Sequence, residues 1–254
     1  MKPDPFQDGP LRQAVRVMFN GQLEASESQL KGYVTATPRD PLGFALSAAV
    51  PFYHFVGNRM RPHGSGTIKD LILGKGIEAP PDFARTQDLL RQARGLSDID
   101  LEADPRDQNA MLALSIVEGV ERDALVLLHK RWMDSLKHAQ AAGLYAQRLL
   151  EVNAKAYDAY YVVGLSEYVI AQIPVFLRPF AKIPGIVGQK PRAIDFLEAA
   201  AGAGCYLQDF ARQMLVTIYL EEGRKQDAIR LLESMAGDFP DNTGYRAELA
   251  RLKA

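Results

Sequence analysis

Much of what marks chemistry-bearing chains is scarce here. There is one cysteine, Cys205, among 254 residues. An internal disulfide is therefore excluded, and so is a thiolate pair for zinc. The four histidines, His54, His63, His129 and His138, never stand at i, i+4, the spacing of two ligands on one helix face. No metal and no cofactor are expected. No G-x-S-x-G elbow or nucleophile–base signature occurs, so no catalytic residue is assigned and the chain reads as non-enzymatic. No apolar run reaches the roughly 18 residues of a membrane span. Charges of the two signs nearly cancel, leaving a formal net charge of −1, which removes the electrostatic footprint of a nucleic-acid binder. The opening MKPDPFQDGP is polar and proline-rich, unlike a secretory leader. A chain starting at Met1 is thus expected in the cytoplasm, and one that has lost a leader in the periplasm or cell envelope.

What the chain does have is an internal repeat. From Gly223, the residues at offsets 5, 9, 12 and 17 are Ala228, Leu232, Met235 and Pro240. From Gly21 the same ruler finds Ser26, Leu30, Tyr33 and Pro38, and from Gly188 it finds Ala193, Leu197, Ala200 and Cys205. Glycine tolerates the left-handed backbone that ends a helix. The small, large and large residues then fall on one helical stripe, and proline stops the helix. A second set follows the turn: Phe44, Ser47 and Ala48 lie 6, 9 and 10 residues after Pro38. Met111, Leu114 and Ser115 follow Pro105 at those offsets, and Tyr160, Val163 and Gly164 follow Ala154.

These residues resemble the tetratricopeptide repeat, a helix–turn–helix unit of about 34 residues. The match is strong over 209–242 and 10–38. The Tyr-rich helix from Tyr157 to Tyr168, the proline-broken insert from Ile173 to Val187 and the run GCYLQDFAR from Gly204 to Arg212 are also similar to uncharacterised repeat proteins of bacteria. The resemblance implies an all-α, right-handed solenoid of about five helix hairpins with a C-terminal capping helix. It also implies a concave groove for peptides or proteins. The basic clamp that some members use for carboxylate-terminated peptides has no residue-by-residue counterpart here.

In chain order, residues 1–9 read as a disordered lead-in and 10–254 as one solenoid domain. Pro10 opens the first helix. Pro51 should kink or shorten the third, ending it near Val56. Residues 57–81 break the rhythm with glycine, proline and basic residues, as a long functional or mobile loop does. His63 to Thr67 lacks the P-loop pattern. Asp98, Asp100 and Glu102 alternate as calcium ligands do, but Ala103 stands where an EF-hand needs glycine. A helix from Asp82 is expected to reach Ala103, either continuous or broken at Gly95. One from Arg106 is expected to reach Arg131, and its partner to run from Asp134 to Val152. Trp132, at that junction, is expected to pack against the neighbouring hairpin. The insert from Ala171 to Val187 carries Pro174, Pro179 and Pro184 between apolar residues.

Two readings of function follow. The first is a protein-interaction scaffold, with Tyr157, Tyr161, Phe176 and Phe180 as candidate partner-binding residues. Tyr160 and Tyr168 are assigned to the seam between helices. The second is a small-molecule or enzymatic site formed where the two insertions close over the groove. The insert itself reads either as a lid burying its apolar side chains or as a docking segment for a partner or membrane surface.

Overall fold

The structure is a computed structural model. It describes residue 6 and residues 9–60, 76–173 and 183–254, with the backbone alone at 59 and 60. Among the described residues there is no strand. The helices are α1 (Pro10–Phe19), α2 (Leu23–Ala36), α3 (Pro41–Met60), α4 (Phe83–Ala103), α5 (Gln108–Leu127), α6 (Trp132–Val152), α7 (Tyr157–Gln172), α8 (Lys190–Ala203), α9 (Gln208–Glu221), α10 (Lys225–Asp238) and α11 (Thr243–Lys253). Successive helices pack as hairpins. Odd-numbered helices also touch the next odd-numbered helix, from α1 through to α9. The result is a helical-repeat solenoid of five hairpins capped by α11, with an odd layer and an even layer.

The repeat glycines sit where the spacing puts them. Gly21, Gly188 and Gly223 have φ of 89°, 76° and 73°, the left-handed region in which a side chain is strained. The small residues that follow, Ser26, Ala193 and Ala228, are buried, as are Leu30, Leu197 and Leu232. At Gly164 on α7, an added methyl would stand 2.9 Å from Leu197 Cγ and 3.0 Å from the Ala193 carbonyl on α8. That contact is too short for any other residue without movement of the pair.

Several expectations give way to tertiary context. Helix α3 runs through Pro51 to Met60 rather than ending near Val56. Proline removes only the bond to the Ser47 carbonyl, and burial of Leu46, Val50 and Phe52 around it outweighs that loss. Helix α4 continues past Gly95. Helix α5 stops at Leu127, short of Arg131, because Lys130 turns the chain with φ of 53°. Trp132 then begins α6 half exposed, at 50%, instead of packing against a hairpin. Most of the 57–81 loop, residues 61–75, lies outside the described residues. Among the described residues no helix is long and apolar enough to cross a membrane.

Polar groups inside the stack hold the repeats in register. Buried Glu118 on α5 pairs with Arg94 on α4 and shares a hydrogen bond with His138 Nδ1 on α6 at 2.6 Å, so one carboxyl ties three helices. Asp158 and Glu167, both fully buried on α7, take the amides that open later helices. Asp158 accepts from the backbone N–H of Cys205, Tyr206 and Leu207 at 2.6–3.1 Å, ahead of α9. Glu167 accepts from Val187, Gly188 and Gln189 at 2.6–3.2 Å, ahead of α8, and pairs with Arg192. Burial pushes the Asp158 carboxyl above its usual range, and the three amides pull it partway back.

The two ends of the solenoid meet. Arg16 on α1 pairs with Asp209 on α9 at 3.3 Å, and Arg12 donates to Gln208. Phe19 stands edge-on to Phe210, with ring centroids 4.9 Å apart. Asn20 and Gln22 both donate to Asp241, and Asn242 donates to the Phe19 carbonyl. The odd layer thereby closes on itself. Every residue from Ala110 to Val120 on α5 is buried, and so is every residue from Val162 to Tyr168 on α7.

Two substitutions test this packing. Ala228→Leu forces three extra carbons into a fully buried seam and should cost about 1–3 kcal/mol in urea melts, whereas Arg230→Ala on the exposed face should stay within about 0.5 kcal/mol. Equal effects would mean that the register is wrong. Ser97 stands in α4 eight residues before Pro105, the slot that holds Leu30 before Pro38 and Leu232 before Pro240. Its side chain is fully buried, and its hydroxyl has no partner among the described residues. Ser97→Ala should therefore raise the melting temperature by about 2 °C or more, since an unmet buried hydroxyl costs about 1–3 kcal/mol. A fall would reveal a partner for the hydroxyl.

Candidate functional site

The stretches Ala110–Val120 of α5 and Val162–Tyr168 of α7 are sealed by their neighbours, so the polar side chains of these two helices that keep access lie before and after them. Arg122 and Asp123 follow the sealed stretch of α5. Their side chains keep 15% and 21% of their exposure, enough to be reached from solvent. The two form a fork: Nε and Nη2 of Arg122 donate to Oδ1 and Oδ2 of Asp123 at 2.7 and 2.9 Å. Tyr53 on α3 donates its hydroxyl to Asp123 Oδ2 at 2.8 Å. Gly119, one turn before Asp123, leaves room for that hydroxyl, which would lie 3.8 Å from a methyl there. The Tyr53 ring stands edge-on to Phe210 of α9 at 5.7 Å, continuing the aromatic contact that closes the layer.

Electrostatics bind Tyr161 of α7 to the same group. Burial raises the Tyr161 hydroxyl well above the ordinary phenol range, and the Asp123 charge raises it further. The same two causes act on Tyr53. Burial alone would make the Arg122 guanidinium easier to deprotonate, but the adjacent Asp123 charge reverses this and holds it protonated. At neutral pH the cluster is therefore two neutral phenols around one compensated ion pair. Across α9, Gln213 lies beside α3, its Nε2 3.8 Å from where a methyl on Gly57 would stand.

The four sequence candidates separate. Tyr161 sits with Arg122 and Asp123. Tyr157 stacks instead on Tyr160 at 6.0 Å, which in turn packs on Phe196 of α8 at 5.4 Å. Tyr168 is fully buried and donates to Glu221 and Glu222 at 2.8 Å. Phe176 and Phe180 lie outside the described residues. The described end of their insert packs on α6: Ile183 is buried, an added methyl on Gly143 would stand 2.9 Å from its Cγ2, and Gln147 donates to the Pro184 carbonyl. Arg122, Asp123 and Tyr53 were not singled out from the sequence. The available signal was the run Glu121-Arg122-Asp123 inside an otherwise apolar helix.

Elsewhere, two clefts beside α8, α9 and α10 are lined by charges already engaged with one another: Lys190 with Glu222, and Arg224 with Glu198 and Asp227. Among the described residues no three His, Cys, Asp or Glu side chains gather as a metal ion would require. Cys205 is partly buried in the proline slot of its repeat.

No protein-family model and no curated protein matches the chain. Among solved structures it is similar to a thermophilic tetratricopeptide repeat protein from Thermus thermophilus, at 16% identity and a TM-score of 0.51, over 96% of each chain. The chain has a tetratricopeptide-type fold. At that identity the likeness extends to architecture, and the side chains of the central cluster are this chain's own.

The tyrosines give a pH test. Tyr33 is pushed up to about 12 by burial and by its hydrogen bond to Asp40, and Tyr53, Tyr161, Tyr168, Tyr206 and Tyr219 are raised too. A raised phenol favours the folded state while it is neutral. Its contribution is complete below about pH 10, the unfolded value, and is lost as pH climbs through the folded value. Stability should thus be flat with respect to these groups at neutral pH and fall from about pH 10 upward. Absorbance titration should show most tyrosines ionising together with unfolding. Six phenols titrating near pH 10 in a folded chain would contradict the burial described.

Proposed function

We propose that this chain is a non-enzymatic interaction scaffold that binds a partner protein or peptide on its odd-helix layer, beside the Arg122–Asp123 pair. The observation carrying the reading is the architecture. Five stacked hairpins offer an extended surface made by several helices at once, and the same fold over 96% of both chains belongs to a tetratricopeptide repeat protein. Tyr161 is the sequence candidate we favour for contact, because it shares the half-buried group of Arg122 and Asp123. Tyr157 contributes at most from the α8 side. Aromatic and arginine side chains in such half-buried positions are the residue types that dominate binding energy at interfaces.

Affinity capture with the full chain, followed by reconstitution from purified components, tests the reading. A single protein should bind stoichiometrically, and Tyr161→Ala should weaken that complex by tenfold or more without lowering the melting temperature by more than a few degrees. A complex indifferent to Tyr161 would move the contact elsewhere. The absence of any stoichiometric partner, together with a ligand-induced rise in melting temperature from a metabolite panel, would favour the small-molecule reading.

A further inference from the structure

Two large apolar side chains stand exposed side by side where α6 begins. Trp132 and Met133 keep 50% and 53% of their surface, and Trp132 is the only tryptophan in the chain. Leu144, eleven residues after Met133 and so on the same face of α6 three turns later, is exposed as well, at 47%. Charge around this strip is sorted by sign. Residues 129–133 hold only bases, His129, Lys130 and Arg131, and Lys137 stands exposed on the face of Met133. Residues 76–82 hold only acids, Glu78 and Asp82, both exposed. The two stretches lie against each other. Ile77 donates its N–H to the Leu127 carbonyl at 3.0 Å, a methyl on Gly76 would stand 3.5 Å from Lys130 Cγ, and the rings of Phe83 and His129 are 6.3 Å apart. Arg131 is paired with Asp134, whereas Glu78, Asp82 and Lys137 have no ion-pair partner among the described residues.

A patch with an apolar centre and two flanks of opposite charge is complementary to itself. If a two-fold axis passes through it, the basic flank of each copy meets the acidic flank of the other. Trp, Met and Arg are also the side chains enriched at the centres of such contacts. We propose that the patch around Trp132 joins two copies of this chain in a two-fold dimer. The charge balance favours a second copy over a membrane surface. Lys130, Arg131 and Lys137 are matched by Glu78, Asp82 and Asp134, so an anionic headgroup layer would gain no net attraction. Two short stretches make a small contact, which fits a reversible, micromolar association rather than an obligate one. The inference stands apart from the scaffold reading, since it needs no other protein and uses none of the residues beside Arg122.

Because Trp132 is the only tryptophan, its emission reports the contact directly. Dilution of the full chain from about 100 μM to about 1 μM should move the emission to longer wavelength, in step with a change from dimer to monomer in sedimentation velocity. Trp132→Ala should weaken self-association tenfold or more. The signature of the two-fold contact is an exchange of charge. Glu78→Lys with Asp82→Lys should weaken self-association tenfold or more, and so should Arg131→Glu with Lys137→Glu. An equimolar mixture of these two variants should pair again, because each copy then meets opposite charge at both flanks. All five positions are exposed, so melting temperatures should change little, which separates loss of the contact from loss of the fold. A monomer at every concentration, an emission that does not move on dilution, or a dimer indifferent to Trp132→Ala would overturn the proposal. So would charge variants that associate like the original chain, or a mixture of them that fails to pair. An emission shift that appears only with anionic lipid vesicles would also overturn it, and would assign the patch to a membrane surface.

Discussion

A carboxylate seated among the backbone amides that open a helix is the contact on which this stack depends. Asp158 and Glu167 both belong to α7 and are nine residues apart. Each reaches forward to a helix that has not yet begun, Glu167 to α8 and Asp158 to α9. The first amides of a helix have no partner within it and carry the positive end of its dipole. The two carboxylates sit just ahead of those amides, taking the N–H groups of 187–189 and 205–207, so they satisfy the buried entry turns while standing near the positive helix ends. Neither α8 nor α9 has a side-chain cap of its own, and it is α7 that anchors the turn leading into each. Loss of either acid would strand at least three amides inside the stack, a far larger cost than a surface ion pair can offset.

That device also sets where the end of the solenoid lies. Asp158 holds the turn at 205–207, which aims α9 back toward α1 and brings Asp209 and Phe210 to Arg16 and Phe19. In an open solenoid each repeat touches only its neighbours. Here the first and fifth repeats share an aromatic contact and an ion pair, and the loop before α11 bonds to the turn after α1. The middle of α5 is buried because α3, α4, α6 and α7 all pack on it.

The repeat was legible because it rests on local requirements. A left-handed turn needs Gly21, Gly188 and Gly223, and a tight seam needs Ser26, Ala193 and Ala228. Both leave a fixed spacing. Closure was not legible, because Arg16 and Asp209 are ordinary charged residues until the fold brings them together. The same holds for Asp158 and Glu167, which read as polar positions on a Tyr-rich helix. Pro51 misled for the opposite reason: a local rule was strong but the buried neighbours of α3 overrode it. Of the central cluster, the tyrosine at 161 was visible as one of a stripe. Arg122 and Asp123 were not, because a charged run inside a helix carries no spacing signal of what it will face.

The central cluster is costly unless it is used. A compensated ion pair and two phenols occupy a region where apolar side chains of similar volume would pack at least as well. Sequences with this fold could fill the space with leucine, as the chain does at Leu30, Leu197 and Leu232 within its seams. Ser97 shows that single polar lapses occur in the stack, but it is one hydroxyl on one helix. The centre instead assembles polar groups from α3, α5 and α7, with an arginine whose orientation is fixed by its own neighbour. Such a preorganised arrangement is what recognition of a partner requires.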